Sequence, residues 1–212
     1  MKIVFMGTPD YATSILSEIL NTDIEVLALV TMPDKPVGRK LEIKPPHIKE
    51  FVLKKNLNIP IFQPATLRDE ELQKTIKELK PDFFVVAAYG MILPKEILNI
   101  ATSINLHASI LPRHRGASPI QESILANDHF FGITAMMMDV RLDAGEILGM
   151  RYIKNNGQRI EEIWDMLSLE AGRLCVKILQ SFSDSKPLKQ HDCISTYCKK
   201  IDKDLARQIL RM

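Results

Sequence analysis

The sequence predicts an α/β protein, a doubly wound and mostly parallel sheet followed by a C-terminal linker tail. Three observations carry this. Short β-branched runs alternate with segments of helical period through the first ~100 residues, which is the pattern of strands joined by crossover helices. Ile24 to Val30 and Asp82 to Ala88 are nearly continuous apolar runs, as expected of parallel strands covered on both faces. Gly7-Thr8-Pro9 then turns the chain between an apolar run and a helical pattern.

In order along the chain, Ile3-Val4-Phe5-Met6 is the first strand, and Ile15, Leu16, Ile19 and Leu20 lie on one face of the first helix. Ile24 to Val30 is the second strand. Glu70 to Lys80 reads as an amphipathic helix stopped by Pro81, because the residue before proline is pushed out of the helical region. Asp82 to Ala88 is a strand, and Ser103 to His107 a short one. Pro119 to Ala126 is a helix. Phe131 to Asp139 and Glu146 to Ile153 are a strand pair, expected as a hairpin at one edge. Glu161 to Phe182 carries Ile163, Leu167, Cys175, Ile178 and Leu179 at helical spacing and closes the domain. Residues 1–182 are thus read as the folded domain. Ser183-Asp184-Ser185-Lys186-Pro187 opens a linker and polar tail over 183–212.

With 212 residues, 46% of them apolar, the chain is long enough for one substantial core. A net charge of +2 does not by itself announce a nucleic-acid partner, so such a reading rests on where the charge sits. Cys175, Cys193 and Cys198 fit neither a redox pair nor a zinc set and are read as reduced thiols. Met1 leads directly into the first strand and no apolar run approaches ~18 residues, so a soluble, cytoplasmic protein without a membrane span is expected.

Gly7-Thr8-Pro9 lacks the glycines that let a dinucleotide pyrophosphate approach a helix N-terminus, which argues against a nicotinamide cofactor. By itself it is an ordinary strand-to-helix turn. Asn105 and His107 are two apart, so on a strand they share a face, one offering an amide donor and the other an imidazole. That pair suits an acyl carbon whose oxygen gains negative charge, and it equally suits a plain hydrogen-bonded pair at a strand end. Asp143 lies in a turn-like segment where an aspartate is commonly just a turn residue. Beside an imidazole it would fix the tautomer and favour the charged ring. From Lys35 to Lys49 five basic residues (Lys35, Arg39, Lys40, Lys44, Lys49) face one acid, Glu42, a bias compatible with a phosphate-binding loop or with a solvated one.

Four blocks in order carry a family resemblance. The run Asn105 to Pro119 resembles the NxHxSLLPxxRGAAP signature of the methionyl-tRNA formyltransferase family, and Phe5 to Ala12 resembles its FxGTPxFA start. Ala88 to Pro94 looks like its AYGxILP, and Met138 to Gly145 like its MDxGLDTG, with Arg141 and Ala144 in place of the usual Gly and Thr. The resemblance implies a Rossmann-like formyltransferase catalytic domain over 1–182. It also implies 10-formyltetrahydrofolate as co-substrate, tetrahydrofolate as product, and transfer of the formyl group to the amine of initiator methionyl-tRNA. No metal is required, and a monomer is expected. Implied catalytic residues are Asn105 and His107, stabilising the oxyanion, and Asp143, holding His107 protonated and oriented. The implied folate pocket comprises Ala88, Tyr89, Gly90, Met91, Ile92 and Leu93, then Ser109, Ile110, Leu111 and Pro112, then Val140, Arg141 and Leu142. Lys35, Arg39, Lys40 and Lys44 lie where the family has a loop engaging the tRNA acceptor arm. Members usually carry a C-terminal β-barrel, and Tyr197 to Asp204 resembles the start of the linker to it. Two other functions stay open, formyl transfer to a small amine such as glycinamide ribonucleotide or an amino sugar nucleotide, and a non-catalytic tRNA-binding remnant.

Overall fold

The first strand, β1 (Lys2–Gly7), has a continuous apolar run because it is covered on both faces and flanked on both edges: Ile3, Val4, Phe5 and Met6 are fully buried. Each such side chain stabilises the fold by roughly 1.5–3 kcal/mol. The computed structural model describes residues 1–38 and 40–210, in two compact units, Met1–Ile104 and Asn105–Met212.

In the first unit β1 leads into α1 (Asp10–Leu20) and then β2 (Glu25–Val30). A small antiparallel hairpin, β3 (Lys35–Val37) with β4 (Glu42–Lys44), follows, then α2 (His47–Lys54), β5 (Ile61–Phe62), α3 (Glu70–Glu78), β6 (Phe83–Ala87) and α4 (Lys95–Leu98). β1 pairs in parallel with both β2 and β6, and β2 with β5, giving the order β6-β1-β2-β5. This is the parallel, crossover-connected arrangement that the alternation predicts. α3 starts where the Asp69 carboxylate accepts the backbone N–H groups of Glu71 and Leu72, and it buries Leu72 and Ile76, one turn apart. Its end is set by Lys80, left-handed at φ 51°, ahead of Pro81. The hairpin, α2, β5 and α4 are absent from the sequence reading, each being too short or too polar to show a period.

β7 (Thr102–His107) crosses the boundary between the units. The second unit continues through β8 (Arg115–Gly116), α5 (Pro119–Leu125), β9 (Phe130–Met137), β10 (Ile147–Lys154), α6 (Ile160–Gln180), β11 (Tyr197–Cys198) and α7 (Lys203–Ile209). β9 and β10 form the expected antiparallel pair, β10 being the outer strand and β9 lying beside β7. α6 buries Ile163, Leu167, Ala171, Leu174, Cys175 and Ile178, a stripe at three- and four-residue spacing that packs on these strands. Gly149 on β10 accommodates that packing, since a Cβ there would come within 3.2 Å of Ile178 and 3.3 Å of Leu174. Part of the polar tail is also ordered. β11 pairs in parallel with β8, and Leu188 bridges Ile147.

Candidate active site

Asn105 and His107 end β7, and their period-2 spacing turns both towards the loop that joins β9 to β10. Asp143, on that loop, meets them. Its Oδ2 lies 3.7 Å from His107 Nδ1, and its Oδ1 is at a long 3.5 Å from the Asn105 amide nitrogen. The backbone N–H of Gly116 donates to Asp143 Oδ2 at 2.8 Å, which fixes the carboxylate more firmly than either side chain does. His107 is 6% and Asp143 12% exposed, so a charge here is only weakly screened by water.

The His107 ring is oriented by its other nitrogen, Nε2, which donates to the carbonyl of His114 at 2.9 Å. In a neutral ring Nδ1 then carries a lone pair facing a carboxylate, a repulsive pairing. A proton on Nδ1 makes it attractive. Asp143 thus faces both the Nδ1 edge of the ring and the Asn105 amide. The His114 carbonyl is itself pinned: His114 is buried with φ 58°, its own Nε2 is 2.7 Å from Asp128, and the same carboxylate receives Arg113 at 2.7 Å. Asp128 carries no signal in the sequence, because only the fold brings it to His114.

Ser109 to Pro112 follow β7 directly. The Ser109 hydroxyl donates to the Arg113 carbonyl at 2.6 Å, and the Thr134 hydroxyl of β9 donates to the Ser109 carbonyl at 2.7 Å and accepts from the Leu111 N–H at 3.1 Å. Leu111 is buried, and Ile110 fills the space that a side chain at Gly132 would need. Pro112 is half-buried, and its carbonyl accepts the Thr196 N–H at 3.2 Å. Val140 and Leu142 are 60% and 58% exposed, and Arg141 is exposed with its guanidinium 3.1 Å from Asp192. Beside them opens a cleft of about 430 Å³, lined in part by Met137, Asp139, Arg141, Glu146, Lys189 and Gln190.

Gly145 closes this loop against β9, where a Cβ would come 1.7 Å from the Met137 carbonyl oxygen; no other residue fits. Gln190 of the tail donates from Nε2 to the carbonyls of Asp143 (3.0 Å) and Gly145 (2.8 Å), while its Oε1 accepts from Nε and Nη2 of Arg115 at 3.0 and 2.8 Å. Arg115 is 1% exposed and also binds Tyr197 Oη and Asp192 Oδ1, each at 3.0 Å. Burial alone would pull its guanidinium down; the bonds to Tyr197 and Asp192 outweigh that, and its pKa is raised. Asp192 is in turn held below the usual carboxylate range by Arg115 and Arg141.

Within the first unit, Ala88 to Leu93 form a loop with two left-handed residues, Ala88 at φ 45° and Gly90 at φ 96°. The Thr8 hydroxyl donates to the Tyr89 carbonyl at 2.7 Å, so the Gly7-Thr8-Pro9 turn anchors this loop. Tyr89 is buried, which pushes its phenol up to about 12. Met91 and Ile92 line a cleft of about 370 Å³, Ile92 is 86% exposed and Leu93 is buried. In the basic segment Lys35 and Lys44 are exposed and stand directly opposite each other on β3 and β4, and Lys40 is exposed in the connecting turn. Arg39 lies outside the described residues. Lys49 is engaged internally, 2.9 Å from both Asp34 oxygens and 2.6 Å from Gln63 Oε1. Among the described residues no three His, Cys, Asp or Glu side chains gather as a metal site, and no helix is long and apolar enough to cross a membrane.

Fold and site together define an α/β protein whose strand-end cluster of amide, imidazole and carboxylate can polarise a carbonyl oxygen and accept a proton. Residues 1–160 match the Formyl transferase family, and the chain belongs to it. It is 54% identical over 204 residues to the methionyl-tRNA formyltransferase of a Nitratiruptor species, an alignment covering 96% of this chain and 67% of that protein. A 4-N formyltransferase from Francisella tularensis has the same fold (TM-score 0.70, 17% identity, covering 99% of this chain and 86% of that one). So does HypX from Aquifex aeolicus, solved in complex with tetrahydrofolic acid (TM-score 0.69, 15% identity, 97% of this chain and 30% of that one).

Proposed function

We infer that this chain transfers the formyl group of 10-formyltetrahydrofolate to the amine of initiator methionyl-tRNA. The observation that carries the chemistry is the meeting of Asn105, His107 and Asp143, amide, imidazole and carboxylate, at the end of β7. When the amine attacks the formyl carbon, charge grows on the formyl oxygen and the nitrogen must lose a proton. Asn105 supplies an N–H to the oxygen, and His107, kept in one orientation by the His114 carbonyl, supplies charge beside it. Asp143 orients His107 and takes part in moving the amine's proton towards the departing folate nitrogen. The residues suit a folate: exposed Val140 and Leu142 offer apolar surface beside a cleft lined by apolar Met137, Met138 and Ala144 and by polar Asp139, Glu146 and Gln190. The acceptor rests on the 54% identity to a methionyl-tRNA formyltransferase and on Lys35, Lys40 and Lys44, exposed cations able to meet phosphates.

The test is formyl transfer from 10-formyltetrahydrofolate to charged initiator tRNA, with an amino sugar nucleotide and glycinamide ribonucleotide in parallel. Transfer to the tRNA alone is expected. Transfer only to a small amine would change the acceptor, and none to any of them would favour a tRNA-binding protein without catalysis.

A further inference from the structure

We propose that Gln190 is a positioning residue for Asp143, a clasp that fixes the loop's backbone from the polar tail; the proposal rests on the transfer reaction inferred above for its catalytic consequence. Asp143 sits at φ 47°, a left-handed conformation that side-chain-bearing residues occupy only when their surroundings impose it. The local hydrogen bond across the turn, Ala144 N–H to the Arg141 carbonyl, is long at 3.4 Å and holds little. Two short bonds from one amide group, to the Asp143 and Gly145 carbonyls, do the holding on either side of Ala144.

The amide's orientation is dictated from behind. Arg115 can only donate, so the Gln190 oxygen must face its guanidinium and the NH2 group must face the two carbonyls. Arg115 is in turn fixed by Tyr197 and Asp192, and its backbone N–H donates to the Thr196 carbonyl at 2.9 Å. The neighbouring residue, Gly116, supplies the N–H that holds the Asp143 carboxylate. One tail segment, 190–198, therefore sets Asp143 twice, once through its main chain by Gln190 and once through its side chain by the strand carrying Arg115 and Gly116. A displacement of about 1 Å at a catalytic group costs on the order of 10²-fold in rate, so a loosened loop reads out in turnover.

Gln190→Glu separates this role from mere structural support. The carboxylate still accepts from Arg115, so the tail stays attached, but it has no N–H for the loop and places an oxygen against two carbonyl oxygens. Gln190→Met, similar in length, removes both links. Three quantities decide: the unfolding temperature, hydrogen exchange of the Ala144 amide, and kcat against KM for the formyl donor with saturating acceptor. For Gln190→Glu the expected result is an unfolding temperature near that of the parent, Ala144 exchange faster by ~10-fold or more, kcat lower by ~10-fold or more, and KM within about 3-fold. Gln190→Met should match it in exchange and kcat. The proposal is overturned by a Gln190→Glu chain with parental exchange, or by one whose loop is loosened while kcat stays at the parental value. If Gln190→Met does not fold, Gln190→Glu decides alone. A parent chain that transfers no formyl group tells against the function inferred above, and the exchange measurement, which needs no substrate, then decides the clasp.

Discussion

At the scale of single residues, the proposed reaction divides the site between Asn105, His107 and Asp143 as the groups meeting the reacting atoms and the residues that hold those three in place. His107→Ala and Asp143→Asn are expected to lower turnover by at least ~10²-fold each while the unfolding temperature shows a folded chain, the usual scale for a lost acid/base or oxyanion group. Near-parental turnover in either variant would remove that residue from the mechanism. The cysteines divide by environment. Cys175 is fully buried and its thiol is pushed up to about 12 by that burial, Cys198 is buried and raised for the same leading reason, and Cys193 is exposed. Because the thiolate is the reactive form, iodoacetamide at neutral pH should label the native chain at Cys193 and reach the other two only after denaturation. Mass mapping showing Cys175 labelled as fast as Cys193 would contradict the buried α6 stripe.

Among the elements, the β9–β10 connection and the β3–β4 hairpin each depend on a local constraint. Gly145→Ala forces a Cβ against the Met137 carbonyl, backbone against which nothing soft can give. A stability loss of ~1–3 kcal/mol by urea titration is expected, accompanied by lower turnover because Asp143 is two residues away. In the hairpin, Lys35 opposite Lys44 is a like-charge pair that works against the hairpin's own stability, and in the proposed function both cations would meet tRNA phosphates. Binding of tRNA should therefore weaken with salt, and Lys35→Ala and Lys44→Ala should each reduce the magnitude of the log-log slope by ~0.7–0.9 with folate affinity unchanged. Arg39→Ala belongs in the same series, since a planar guanidinium suits a bidentate phosphate contact. A flat salt response would move the acceptor towards small amines.

For the molecule as a whole, acid should act through a few held carboxylates. Asp34 is kept below its ordinary value of 3.8 by hydrogen bonds from Gln63 and Lys49, and Asp192 by Arg115 and Arg141. A carboxylate whose folded pKa is depressed contributes stability fully above the unfolded value, and loses it as pH falls through the folded one. Asp34→Asn and Asp192→Asn should thus lower the urea midpoint near pH 6, and the difference from the parent should vanish well below about pH 3.8. A difference that persists unchanged at low pH would mean packing, not charge, is lost. The parallel strands β1, β2 and β6, the amphipathic α3 and α6, the β9–β10 pair and the shared face of Asn105 and His107 follow from sequence alone, since periodicity and side-chain direction are properties of neighbouring residues. Asp143 by itself reads as a turn residue, and it is the family resemblance of Met138 to Gly145 that implies a catalytic role for it beside His107. What the tertiary structure alone decided is that Asp143 reaches His107, that the His114 carbonyl sets the ring, that Lys49 is taken up by Asp34, and that Gln190 and Arg115 hold the loop. These contacts join residues from 7 to 75 positions apart; hydrogen bonds at such separations leave no period in the chain and exist only once packing has brought their partners within reach of one another.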